Sequence, residues 1–224
     1  MSRTFAIGDI HGCDTAFETV LELIAPATDD TLVVLGDVID RGPNSARVLE
    51  MLLQLSVDTN VVFVLGNHEE MLFQALETGV EDSLWIMHGG QQTLASYGGQ
   101  VANIPAAHLD FIKSKAVNYW ATDSEIFVHA NLDVDVPLEQ QETQQLRWQH
   151  LTGYELPHPS GRRVFCGHTP QPNGIPRITD GWVCVDTYAY GGMYVTAVDV
   201  ATNEIFQASQ AGHTRKGVRL DDLV

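Results

Sequence analysis

Basic residues are scarce in this chain of 224. Twelve Lys+Arg stand against 29 Asp+Glu, a formal charge of −17. A field of that sign repels nucleic-acid backbones and anionic membranes, so neither is an expected partner. It repels a free phosphoester equally, so a phosphate-handling site here needs concentrated local positive charge. Long apolar runs are missing too. No stretch approaches the ~20 residues of a membrane helix, and Thr4-Phe5-Ala6-Ile7 is too short for the apolar core of a signal peptide. A cytoplasmic location is the resulting expectation. Cysteine is limited to Cys13, Cys166 and Cys184, odd in number and unevenly spaced. That suits small core residues in a reducing compartment better than a disulfide framework. None has an arginine six positions on, where Thr19, Pro172 and Tyr190 stand, so a cysteine-nucleophile phosphatase loop is excluded.

What is present is the composition of a soluble globular protein, 44% apolar and 18% charged. Apolar runs that read as strands recur at Thr4–Ile7, Thr31–Leu35, Val61–Leu65, Glu125–Val128, Val164–Cys166, Trp182–Val185 and Tyr194–Val200. Helical patterns separate the early ones. Asp14 is expected to cap a helix with Phe17, Val20, Leu21 and Ile24 on one face. Pro43 suits the first turn of a second helix through Val48, Leu49, Leu52 and Leu53, and a third runs from near His68 to Gly79. The first half thus alternates β-α-β-α-β-α, which implies parallel pairing with right-handed crossovers. In the second half, helical patterns at Gln91–Tyr97, Ala106–Lys115 and Glu139–Gln149 surround strands that follow one another closely. An α/β half joined to a strand-rich half suggests two sheets sharing one core. No linker divides residues 1–208, read as a single domain, and the polar tail 209–224 is expected to be loosely ordered.

Five segments carry the polar residues that follow these strands: Gly8-Asp9-Ile10-His11-Gly12, Gly36-Asp37-Val38-Ile39-Asp40-Arg41-Gly42, Gly66-Asn67-His68-Glu69, Val128-His129-Ala130 and Cys166-Gly167-His168. In a parallel sheet the carboxyl ends of the strands line one edge, where ligands bind. Three consecutive strands would deliver Asp9, His11, Asp37, Asn67 and His68 to one place, with His129 and His168 arriving from the second half. Carboxylates, an amide oxygen and imidazoles form a mixed donor set that suits Mn²⁺, Fe or Zn²⁺ better than thiolate-selected metals. Asp37 is the natural bridge if two ions lie about 3.5–4 Å apart.

In their order and spacing these motifs resemble the metallophosphoesterase superfamily, in particular its branch of bacterial and phage serine/threonine protein phosphatases and diadenosine-tetraphosphate hydrolases. The resemblance implies a calcineurin-like fold, two mixed β-sheets packed as a sandwich and flanked by helices. It implies two divalent ions, Mn²⁺ foremost with Fe or Zn²⁺ as alternatives. Asp9, His11 and Asp37 would hold one ion, and Asp37, Asn67, His129 and His168 the other. It also implies in-line attack by a hydroxide bridging the ions, His68 as general acid oriented by Asp40, and Arg41 gripping the substrate phosphate. A second phosphate-binding arginine is sought at Arg147 in Leu146-Arg147-Trp148-Gln149-His150, with Arg162 and Arg163 as other possibilities. Leu65, His88, Asn131, His150 and Tyr188 stand where relatives carry Arg, Asn, Gly, Arg and Gly.

The first functional expectation is a protein-phosphatase-like phosphomonoesterase acting on phosphorylated protein or a small phosphoester, because acidity and the lack of clustered Lys/Arg disfavour nucleotides. The alternative is a diadenosine polyphosphate hydrolase using the same metals. A metal-binding scaffold without catalysis is a third reading, opposed by intact His68, Asp40 and Arg41. Away from the motifs, His108, His158 and His213 are expected to face solvent.

Overall fold

The computed structural model describes residues 2–81 and 83–223. In chain order the elements are β1 (Thr4–Ile7), α1 (Asp14–Ile24), β2 (Thr31–Val34), α2 (Ser45–Asp58), β3 (Asn60–Val64), α3 (Asn67–Thr78) and α4 (Gln91–Ser96). There follow α5 (Ala106–Lys115), β4 (Ala116–Val117), β5 (Tyr119–Ala121), β6 (Glu125–Val128), α6 (Thr143–Trp148) and β7 (Arg163–Cys166). The chain closes with β8 (Arg177–Thr179), β9 (Trp182–Cys184), β10 (Val195–Asp199), β11 (Glu204–Ala208) and β12 (Thr214–Arg219). A single wide helical turn, Ile86–Gly90, precedes α4, with Gly89 at φ 114.

Two mixed sheets result. The first has the order β12-β11-β10-β1-β2-β3-β4, the second β5-β6-β7-β9-β8. β1, β2, β3 and β4 are parallel, while β10, β11 and β12 add antiparallel beside β1. In the second sheet β6, β7 and β9 are parallel and the edge strands β5 and β8 antiparallel. The expected sandwich of two mixed sheets with flanking helices is the observed architecture.

Alternation along the strands explains the layering, because successive side chains face opposite sides of a sheet. Ala6, Val33, Leu35 and Val64 point inward to meet Phe127, Phe165, Val183 and Val185 of the other sheet. Phe5, Ile7, Leu32 and Val34 point outward beneath Phe17 and Val20 of α1 and Val48 and Leu52 of α2. On the far side Ile126, Val128, Val164 and Cys166 pack beneath Leu132, Leu138, Leu146 and Leu151. Strands covered on both faces read as unbroken apolar runs, and the sequence shows such runs.

Several expectations change. Cys13, not Asp14, is the N-cap of α1. α2 starts at Ser45, and its N-cap Asn44 accepts a bond from the Arg47 N–H, so Pro43 lies ahead of the helix. The expected helix Glu139–Gln149 is a short 3₁₀ turn, Leu138–Gln140, followed by α6. The tail is not loose: Thr214–Arg219 pairs with β11 as the sheet edge, and Leu220 behind it is buried. His108 is buried rather than solvent-facing, because Tyr97 Oη and Glu50 Oε2 engage its two ring nitrogens at 2.7 and 3.2 Å. All three cysteines are free and buried, as expected of core residues. Among the described residues, no helix is long and apolar enough to cross a membrane.

Candidate metal centre at the strand ends

Asp9 and His11 follow β1, Asp37 follows β2, Asn67 and His68 follow β3, His129 follows β6 and His168 follows β7. The turns that carry them are tied together through backbone. The N–H groups of Ile10 and His11 both donate to the Asp37 carbonyl, at 3.1 and 2.9 Å, and Gly12 N–H donates to Val38. Among the described residues, eight non-glycine residues adopt positive φ, and five of them are His11, Asp37, Asp40, Arg41 and His168. Left-handed backbone costs an L-residue on the order of 1–2 kcal/mol. Its concentration here means that the two packed sheets impose the geometry, a pattern found where function needs a side chain held fixed.

The expected ligands converge around Asp37. The ligand-capable atoms of His11, Asp37 and His68 lie within 4.8 Å of one another, and so do those of Asp37, His129 and His168. Asp37 belongs to both groups through different oxygens. Its Oδ2 faces His11 Nε2 at 3.6 Å and His68 Nε2 at 3.9 Å, while Oδ1 faces His129 Nε2 at 3.5 Å. Asn67 Oδ1 lies 3.0 Å from His129 Nε2 and 3.1 Å from His168 Nδ1. Asp9 Oδ2 lies 4.0 Å from His11 Nε2, and both Asp9 oxygens accept from the His168 N–H.

Each of three imidazoles is fixed by a backbone carbonyl, which can only accept. His11 Nδ1 donates to Ile39 O at 2.8 Å, His129 Nδ1 to Leu35 O at 2.6 Å, and His168 Nε2 to Trp148 O at 3.1 Å. The other nitrogen of each ring then faces the cluster, the arrangement that orients a metal-binding histidine. Burial, followed by the nearby His68, holds His11 well below the ordinary imidazole range. Burial and His129 bring His168 down to about 3. Neutral rings are what a cation requires of them.

The carboxylates are crowded by comparison. Burial, then Asp186 and Asp37, push Asp9 well above the usual carboxylate range. Burial takes Asp186 up to about 6, and burial with Asp37 takes Glu69 to about 7. Burial also works to raise Asp37, but His129 and His68 outweigh it and hold that carboxyl well below the range. Against the lowering by burial, Asp37 and the Leu35 carbonyl in turn raise His129. Four buried acids in one place, with imidazole nitrogens turned toward them, are chemically a cation site.

His68 stands apart in its bonding. Its Nδ1 pairs with Asp40 Oδ2 at 2.7 Å, while its Nε2 is buried with no hydrogen-bond partner. Asp40 is itself held by Trp85 Nε1 at 2.9 Å and Thr93 Oγ1 at 2.6 Å, and its backbone N–H reaches Ser45 and Thr93 hydroxyls. Arg41, with its backbone N–H on Gly89 O, brings its Nη1 2.9 Å from His11 Nε2 and lays its guanidinium over Tyr190, 4.5 Å from the ring centroid.

Arg147 does not join them. Its Nη1 donates to Glu70 at 2.9 Å and its Nη2 to Asn118 at 2.6 Å. The fork expected to bind phosphate is thus occupied by protein partners between α3 and α6. Arg163 is tied to Glu125, Asn203 and the Val200 carbonyl, and Arg162 to Ser160. Among the described residues, Arg41 is the only Lys or Arg side chain hydrogen-bonded to one of the expected metal ligands. His150 stacks on the His168 ring at 4.3 Å.

Sequence reasoning missed four contributors. Glu69 accepts from the N–H groups of Asp37, Val38 and Gly66, knitting the second and third turns together. It lies within a motif, so its role was findable. Asp186 follows β9 and keeps Oδ2 buried without a partner; its segment, Val185-Asp186-Thr187, also resembles the family's, but that resemblance assigns the carboxylate no role. Trp85 and Tyr190 carried no signal, since an aromatic outside a periodic pattern reads as core.

Known proteins share this arrangement to different extents. The sequence pattern described as "Calcineurin-like phosphoesterase" matches residues 2–191. A symmetrical bis(5'-nucleosyl)-tetraphosphatase of Nitrosomonas europaea is 33% identical over 138 residues, 61% of this chain and 47% of that protein. The Baumannia cicadellinicola protein of the same name is 45% identical over 78 residues, 34% of this chain and 26% of its own length. The chain therefore spans less than half the length of these curated relatives. Among solved structures, a candidate diadenosine tetraphosphatase has the same fold with a TM-score of 0.69 at 20% identity, covering 97% of this chain and 94% of that one. A protein serine/threonine phosphatase from Saccharomyces cerevisiae has it at 0.63 and 18%, covering 97% and 81%.

Proposed function

The chain belongs to the calcineurin-like phosphoesterase family, and from that premise we propose that it cleaves a bis(5'-nucleosyl) tetraphosphate symmetrically into two nucleoside diphosphates. The observation that carries the catalytic part is the division of Asp37 between two ligand groups, one carboxylate oxygen facing each. The donor set fits two divalent ions: Asp9, His11 and Asp37 would hold one, and Asp37, Asn67, His129 and His168 the other. Mixed oxygen and imidazole donors with no thiolate suit Mn²⁺ first. When bound, such ions polarise phosphoryl oxygens and acidify an attacking water.

The chain's own residues do the rest. His68 presents a buried, unpartnered Nε2, while Asp40 holds its Nδ1 and thereby the orientation of the ring. That is the position of a proton donor to the leaving oxygen. Trp85 and Thr93 keep Asp40 from turning away. Arg41 offers a planar fork for a phosphate oxygen pair, steadied from behind by Tyr190.

The order of the two substrate readings reverses. Acidity alone favoured a phosphomonoester on protein, but the relatives aligned over the motif-bearing part of the chain are symmetrical tetraphosphatases. The test is a side-by-side assay of Mn²⁺-loaded protein on diadenosine tetraphosphate and a phosphoserine peptide, with products separated by ion exchange. Adenosine diphosphate should be the main product, with kcat/KM at least about tenfold above that on the peptide. A dinucleotide left whole while the peptide is turned over would defeat the proposal.

A further inference from the structure

Beside Arg41 the chain builds a pair of rings that catalysis, as described, does not use. Tyr190 lies beneath the Arg41 guanidinium and stands edge-on to His11, with ring centroids 4.9 Å apart. Tyr188 meets Tyr190 at 4.7 Å and 70°. Both are half-buried, so part of each ring remains open to solvent. The pair thus adjoins the guanidinium proposed to grip the phosphate.

Local structure is arranged to hold Tyr188 there. Its φ of 61° is a conformation that favours glycine. The Tyr188 N–H donates to Asp186 Oδ1, and its carbonyl accepts from Gly191 and Met193. A Cβ at Gly191 would lie 1.9 Å from a Tyr188 ring carbon, so the ring occupies space that only glycine leaves. A ring kept in place on a half-open surface, against the backbone's preference, is better explained by contact with a ligand than by the core.

Charge points to what kind of ligand. Beyond the ions proposed above, Arg41 is the one Lys or Arg side chain among the described residues hydrogen-bonded to a proposed metal ligand, and the chain carries −17 overall, so the parts of a substrate away from the ions meet little positive charge. A nucleobase can be bound without charge, through its π-face. We infer that Tyr188 and Tyr190 form a base subsite, in which the nucleobase attached to the phosphate chain gripped by Arg41 stacks on the Tyr188 ring beside the near-perpendicular Tyr190. This rests on the nucleotide reading above and names the part of the substrate it depends on.

The test uses Tyr188, because changes at Tyr190 would also disturb Arg41. With p-nitrophenyl phosphate as reporter substrate of the Mn²⁺-loaded protein, inhibition constants are measured for adenosine diphosphate and for pyrophosphate, the same diphosphate without its nucleoside. Tyr188→Gly relieves the backbone and should fold. It should raise the constant for adenosine diphosphate about tenfold relative to that for pyrophosphate, the scale of one lost base–aromatic stack. Tyr188→Phe keeps the ring and should keep the wild-type ratio. An unchanged ratio in the glycine variant, or an equal loss in the phenylalanine variant, overturns the subsite. Wild-type turnover of diadenosine tetraphosphate separates the two claims. If it is absent while the Tyr188-dependent preference persists, the substrate reading fails and the base subsite stands. If turnover is present and the preference is not, the reverse holds.

Discussion

Asp40 gathers more hydrogen bonds than any proposed ligand: His68, Trp85 and Thr93 reach its carboxylate, and Ser45 and Thr93 its backbone N–H. So many partners on a buried acid fix one rotamer of His68 and leave its Nε2 as the one unsatisfied nitrogen of the pair. Replacing His68 with Asn should therefore lower kcat about 10²–10⁴-fold, the usual worth of a positioned acid. Metal content by mass spectrometry should stay near that of the wild type. Because His68 Nε2 also lies within reach of Asp37 and His11, loss of metal in this variant would reassign it from acid to ligand. At this scale the sequence was legible wherever an Asp, Asn or His directly followed an apolar run and sat beside a glycine. Arg147 misled because position along a helix does not say which way a long side chain turns, and Glu70 and Asn118 claim it. The positive φ values at His11, Asp40 and His168 could not be read at all, since such backbone arises from packing of distant turns.

The turns after β2 and β3 work as one element. Glu69 bonds to both, His68 N–H donates to Asp37 Oδ1 at 3.0 Å, and Gly66 lies against the same carboxylate. A Cβ at position 66 would stand 2.2 Å from Asp37 Oδ1 and 2.5 Å from its backbone nitrogen. Gly66→Ala should thus destabilise the protein by about 1–3 kcal/mol through overpacking, seen as a lower urea midpoint, and should weaken metal binding with it. A wild-type midpoint would show that the two turns can separate freely. The long elements were predictable because β1, β2, β3, β6 and β7 are buried on both faces and α1 and α2 on one. The two- and three-residue strands β4, β5 and β8 have no room for a period to show. β12 reads Thr-Arg-Lys-Gly-Val-Arg and is exposed throughout, so nothing in its pattern separates it from a loose tail.

Across the whole molecule, Asp9, Asp37, Glu69 and Asp186 put four buried acids where the two sheets meet, inside a chain already at −17. Divalent ions bound there would stabilise the folded state alone. At a hundredfold excess over Kd the gain is about 2.7 kcal/mol for each ion, or roughly 5–10 °C in Tm per ion for a chain of this length. Calorimetry with Mn²⁺ and with chelator should show that difference, and Asp37→Ala should abolish it by removing an oxygen from both groups. An equal response in the variant would mean that the ions bind elsewhere. The last strand carries a different consequence. β12 places Arg215, Lys216 and Arg219, three of the twelve basic residues, on the rim of the seven-stranded sheet. Charged side chains on an exposed rim discourage strand addition from a neighbouring molecule. Cutting the chain after Ala208 would leave β11, with Ile205 and Phe206, as a bare template for such addition. Residues 214–219 would on this reasoning guard the rim against self-association, and a protein cut after Ala208 is expected to associate more readily, as size-exclusion chromatography would show.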